Sequence, residues 1–122
     1  MSALQSFRDL EVWRRSIDLV EAIYRASSAW PADERFGLTS QVRRAAVSVP
    51  SNIAEGAARQ GTGEFLQFLS IAKGSLAEVE TQLILAERLG YLPATAGASL
   101  LTSAAEIGRM LAGLTRSLRA RR

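Results

Sequence analysis

Along most of this chain apolar side chains recur at intervals of three and four, the period of an amphipathic helix rather than the alternation of a strand. In a first segment near residues 8–29, Leu10, Trp13, Ile17, Val20 and Tyr24 keep that spacing. A third segment keeps it through Phe65, Leu69, Ala72, Leu76, Val79, Leu83 and Ala86, and a fourth through Leu100, Ala104, Ile107, Leu111, Leu114 and Leu118. Three breaks divide the pattern: SAWPAD at 28–33, RQGTGE at 59–64 and LGYLPAT at 89–95. Each holds Pro or Gly beside a candidate N-cap, Asp33, Thr62 or Thr95. Ser6 followed three residues later by Asp9 has the form of a capping box. The pattern predicts an all-α chain, one domain over 1–122, folded as an antiparallel up-and-down four-helix bundle.

The second segment, FGLTSQVRRAAVSVPSNIAEGAAR, carries its core stripe on Leu38, Val42, Val49 and Ile53, with Ala45, Ala46 and Gly56 beside it. At about 100° per residue, Gln41, Arg44, Ser48, Asn52, Glu55 and Arg59 line up on a different face. Pro50 falls inside this run, where it removes a backbone donor and crowds the preceding turn. The core stripe continues past it, so a kink is expected rather than an end. Ser51 or Asn52 is placed to satisfy groups freed by the proline. The first segment has a second apolar stripe, Val12, Leu19 and Ile23, roughly opposite the first. In a bundle of four helices none is fully surrounded, so these three residues are read as a candidate oligomer interface.

Composition narrows the chemistry. With no cysteine and no histidine, disulfides, thiolate nucleophiles, Ser-His-Asp arrangements and His- or Cys-based metal sites are closed. The seams are apolar, which excludes the inward carboxylates of a di-iron bundle, and Glu78 and Glu80 do not share a helix face. Gly56, Gly61 and Gly63 have no following Lys-Ser or Lys-Thr and no preceding strand, so capping and a tight turn explain them better than a phosphate loop. The reading is a chain without enzymatic activity or cofactor. No apolar run reaches membrane-spanning length and residues 1–10 lack signal-peptide character, so a soluble cytoplasmic protein is expected.

The net charge of +3 is unevenly placed. Residues 94–122 carry five Arg against one acid, Glu106, and fourteen of the fifteen cations are Arg, which suits bidentate phosphate contacts. The candidate nucleic-acid contacts are Arg14, Arg15, Arg43, Arg44, Arg59, Lys73, Arg109, Arg116, Arg119, Arg121 and Arg122. There is no helix-turn-helix and few aromatics for stacking, so binding to RNA or DNA is expected to follow shape and charge.

FRDLEVW at 7–13, FGLTSQVRRAAVSVPSNIAEG at 36–56 and EFLQFLSIAKGSLAEVETQLILAERLGYL at 64–92 resemble the four-helix-bundle proteins encoded in intervening sequences of bacterial large-subunit ribosomal RNA genes. The resemblance implies a bundle that assembles as a ring, a homopentamer in related proteins. The chain is also similar to the accessory variability determinants of diversity-generating retroelements, which implies a basic ring that binds nucleic acid and a reverse transcriptase. Two functional expectations follow: a nucleic-acid-binding homo-oligomer, or a scaffold for a protein such as a reverse transcriptase. The stripe of Gln41, Arg44, Ser48, Pro50, Asn52 and Glu55 is assigned to architecture first, because buried polar groups must find partners.

Overall fold

The computed structural model describes residues 6–121. The described residues form four α-helices, α1 Glu11–Ser27, α2 Leu38–Ala58, α3 Thr62–Arg88 and α4 Ala94–Ala120, and no strand. Each packs on its neighbours in sequence, and α4 closes the set against α1. The directions alternate. Ser48 meets Ser75 while Gly56, further along α2, meets Phe65 and Phe68 at the start of α3. Likewise Gly97 faces Glu87, and Gly108 faces Leu76. This is the expected antiparallel bundle.

The stripes of α2, α3 and α4 form the core: Val42, Val49, Ile53, Leu69, Leu76, Val79, Leu83, Ala104, Ile107 and Leu111 are all buried. Helix α1 reverses the expectation. Val12, Leu19 and Ile23, read from the sequence as an oligomer interface, lie inside the subunit core, Ile23 at 1% exposure. The stripe read as core is the outer one, with Ile17 at 40% and Tyr24 at 43% exposure and Trp13 and Val20 only partly covered. The physical reason is that Ser16 and Ser27 complete the inward stripe at helical spacing and are themselves buried. Ser16 donates its hydroxyl back to the Val12 carbonyl at 2.7 Å, which lets a polar residue enter the core satisfied. Trp13 and Tyr24, each with a polar tip on an apolar body, suit the partly wet position.

The ends of the helices also differ from the sequence reading. The Ser6–Asp9 capping box is present, but it caps a 3-10 turn at Phe7–Asp9 rather than α1 itself. Asp33 lies within a second 3-10 turn, Ala32–Glu34. Gly37, Gly61 and Pro93 take the N-cap positions of α2, α3 and α4, with no side-chain cap. At α2 the Leu38 amide instead donates to Glu34 Oε1 at 3.0 Å, a cap supplied from the preceding turn. Just past the C-cap of α3, Leu89, stands Gly90, the described residue whose φ of +79° needs glycine. There the Gly90 amide reaches Glu87 O and the Tyr91 amide reaches Ala86 O, a Schellman closure that turns the chain toward α4. Pro50 sits buried within α2, which runs unbroken through it.

Candidate nucleic-acid interface

Nine of the candidate cations fall into two groups, and Arg44 lies apart from both, on the open side between α2 and α3. Four are engaged within the bundle. Arg14 donates to the Arg8 carbonyl at 2.8 Å, and Arg15 lies 3.4 Å from both Glu11 and Glu106, bridging α1 to α4. Arg43 donates to Ser27 Oγ at 2.8 Å and to the Tyr24 carbonyl at 3.1 Å, with its guanidinium over the Tyr24 ring. Arg59 pairs with Glu55 at 2.9 Å and covers the Phe68 ring. Exposed pairs of this kind contribute little stability, up to about 1 kcal/mol each, but they fix where the side chains lie.

Lys73, Arg109, Arg116, Arg119 and Arg121 are different: each is exposed and none has an ion pair among the described residues. Lys73, Arg116 and Arg119 meet at one groove of about 260 Å³ between the N-terminal half of α3 and the C-terminal half of α4. Its floor is Leu66, Leu69 and Leu111, and the Ser70 and Thr115 hydroxyls stand beside the cations. Seven residues separate Arg109 from Arg116, about two helical turns, so Arg109 extends the same face of α4. Arg121 follows at the helix C-terminus, where positive charge also suits the helix dipole. Arg122 lies outside the described residues. The up-and-down topology is what joins Lys73 to cations more than forty positions away.

The polar stripe of α2 splits into an anchored part and an open part. Asn52 donates to the Ser48 carbonyl at 2.8 Å and to Ser48 Oγ at 2.9 Å, while the Ser75 hydroxyl donates to Ser48 Oγ at 2.9 Å. This ties α2 to α3 close to Pro50. Glu55 takes Arg59 as its partner. Gln41 and Arg44 instead line an open furrow of about 550 Å³ between α2 and α3, with Phe36, Ser48, Ser75, Glu78 and Gln82. Phe36 stands at its rim, 87% exposed, with Arg35 against its ring at 5.1 Å. Phe36 and Gln82 do not stand out in the sequence, since neither lies on a periodic apolar stripe, and Glu78 stands out there only beside Glu80 as a metal-site carboxylate. The only available signal was a large aromatic outside every stripe.

No group of three or more His, Cys, Asp or Glu residues among the described residues is placed to hold a metal ion. Among the described residues no helix is long and apolar enough to cross a membrane.

A family description, 23S rRNA-intervening sequence protein, matches residues 8–113. Arg116, Arg119 and Arg121 therefore lie beyond the matched span. The fold is similar to the crystal structure of a protein with unknown function from the S23 ribosomal protein family of Bacteroides thetaiotaomicron. The superposition has a TM-score of 0.79 at 24% sequence identity and covers 86% of this chain and 95% of that one. No curated protein is significantly similar to the chain.

Proposed function

This chain belongs to the 23S rRNA-intervening sequence protein family, and from that premise we propose that it is a non-enzymatic, homo-oligomeric bundle that binds structured RNA or DNA by its phosphates. The observation that carries the reading is the groove of Lys73, Arg116 and Arg119, three unpaired cations from two helices, with Arg109 on the same face of α4. Convergence of cations without acidic partners is what a phosphate backbone recruits, and the hydroxyls of Ser70 and Thr115 add neutral donors. Repetition of the groove around an oligomer multiplies modest contacts into avidity.

Support for self-association comes from the outer stripe of α1. Phe7, Trp13, Ile17 and Val20 line an apolar groove of about 310 Å³ with Val47, Pro50 and Ala54 of α2. A ring, pentameric as in the proteins the sequence resembles, would cover this face; a bend of α2 at Pro50 would shape it. A cytoplasmic location suits such a chain. The same groove favours a second reading, a scaffold that docks a partner protein such as a reverse transcriptase, as the likeness to retroelement accessory determinants implies.

Electrophoretic mobility shift with structured RNA, single strands and duplex DNA tests the first reading, with mass measured in solution alongside. Retarded complexes whose affinity falls steeply as salt rises support it; absence of any complex at low salt overturns it. A mainly apolar protein contact would instead persist in salt.

A further inference from the structure

The furrow between α2 and α3 has features that phosphate binding leaves unused. Arg44 and Glu78 line it without an ion pair among the described residues, although they carry opposite charges. Gln82 also lines it, and its Oε1 is walled off from solvent with no hydrogen-bond donor. An unsatisfied buried acceptor costs about 1–3 kcal/mol, and the last side-chain torsion of glutamine is soft enough to turn the amide toward a ligand. Phe36 presents a large apolar ring to water at the rim. The volume, about 550 Å³, lies within the range of about 300–1,000 Å³ common to small-molecule sites.

We propose that this furrow holds an unpaired nucleobase presented by a single-stranded nucleic acid, an inference that rests on the nucleic-acid reading above. The Phe36 ring is the stacking platform, and Arg35 behind it keeps a cation beside the stacked base. Arg44 meets a flanking phosphate. At the wall of the furrow the oxygens of Glu78 accept hydrogen bonds, so they select a base edge that offers an amino group. Cytosine, adenine and guanine carry such a donor, whereas uracil offers one ring N–H between two carbonyl oxygens that the carboxylate repels. The Gln82 amide, once turned, supplies a second contact. Ser48 and Ser75 are held by each other and by Asn52, so they form a fixed wall. Single strands therefore bind at two places on each subunit, phosphates along Lys73, Arg116 and Arg119, and a base on the neighbouring face of α3.

The test titrates labelled oligo(C), oligo(U) and a duplex against the full chain and the variants Phe36→Ala, Phe36→Trp, Glu78→Gln and the double variant Lys73→Gln/Arg116→Gln, with oligomer mass recorded for each. Phe36 is exposed, so its replacement leaves the core intact. Phe36→Ala should weaken oligo(C) by about tenfold while leaving duplex affinity and mass unchanged, and Phe36→Trp should retain binding. Glu78→Gln should narrow the preference for oligo(C) over oligo(U). Wild-type affinity in Phe36→Ala, or a loss accompanied by a fall in mass, overturns the proposal; the second result would make the furrow a contact between copies. If Lys73→Gln/Arg116→Gln loses binding and Phe36→Ala does not, the base site falls and phosphate binding stands. If the wild-type chain binds neither strand nor duplex, both fall.

Discussion

The Tyr91 hydroxyl donates to Glu34 Oε2 at 2.9 Å across 57 positions of sequence, while the other oxygen of that carboxylate receives the Leu38 amide at 3.0 Å. One side chain thus caps α2 and ties its start to the turn that leads into α4. Trp30 stands beside Tyr91, with ring centroids 6.2 Å apart, and completes the plug at this end of the bundle.

This arrangement has a pH signature. The Leu38 amide, and after it the Tyr91 hydroxyl, hold the Glu34 carboxyl below its ordinary value. Its contribution to stability is therefore present above the ordinary carboxylate range and is lost as pH falls through the depressed folded value. The hydrogen bond to Glu34 pushes the Tyr91 phenol up, so its contribution holds below the ordinary phenol range and is lost as pH rises through the raised value. In thermal melts across pH, Glu34→Gln should flatten the acid-side fall in midpoint and Tyr91→Phe the alkaline-side fall. Unchanged acid-side slopes in Glu34→Gln would show that the carboxylate does not gate this end.

Two glycines on adjacent helices should respond in opposite directions to alanine. At Gly56 a Cβ would stand 2.7 Å from Phe68 Cβ and 3.0 Å from Phe65 Cδ1, where α2 and α3 cross closely. Phe68 meets it through the base of its side chain, which cannot swing away, so Gly56→Ala should cost about 1–3 kcal/mol through overpacking. At Gly74 a Cβ meets nothing within 4 Å, and Gly74→Ala should stabilise by about 0.5–1 kcal/mol through helix propensity. Urea denaturation of the two variants reads both signs, and equal responses would refute the close crossing at Gly56.

The glycine of SNIAEG is thus explained by its close contact with α3, and the helix through this stretch was legible from the core stripe passing along it. Helices α2, α3 and α4 were legible because nearly every inward position is apolar. Helix α1 was legible as a helix but its buried face was not, because Ser16 and Ser27 interrupt its inward stripe and a polar residue that satisfies itself on its own backbone leaves no trace in hydropathy. The fate of the cations was also hidden. Whether Arg15 finds Glu106, or Lys73 meets Arg116, depends on the register of one helix against another, which spacing within a helix does not encode.

The cationic groove predicts a salt dependence. Each of Lys73, Arg116 and Arg119 that meets a phosphate releases counterion, so replacing one with glutamine should reduce the slope of log affinity against log salt by about 1. Arg15→Gln, in a side chain already held by Glu11 and Glu106, should change that slope much less. Filter binding with one RNA across a salt series makes the comparison. Equal slopes for Arg116→Gln and Arg15→Gln would place the phosphate contacts elsewhere.

The reversal of the α1 stripes separates stability from assembly. Ile23 is 1% exposed within the core, so Ile23→Ala should cost about 2–5 kcal/mol of stability through the cavity it leaves. Ile17 is 40% exposed on the opposite stripe, in the groove with Trp13, Val20 and Pro50. Ile17→Asp places a charge where a neighbouring copy would bury it, yet in the isolated subunit that charge stays in water. Light scattering should therefore show a lower mass for Ile17→Asp with helicity by circular dichroism unchanged, whereas Ile23→Ala should melt earlier. Were Ile17→Asp to keep the wild-type mass, the outer stripe would not be where copies meet, and the groove would be left to a different protein.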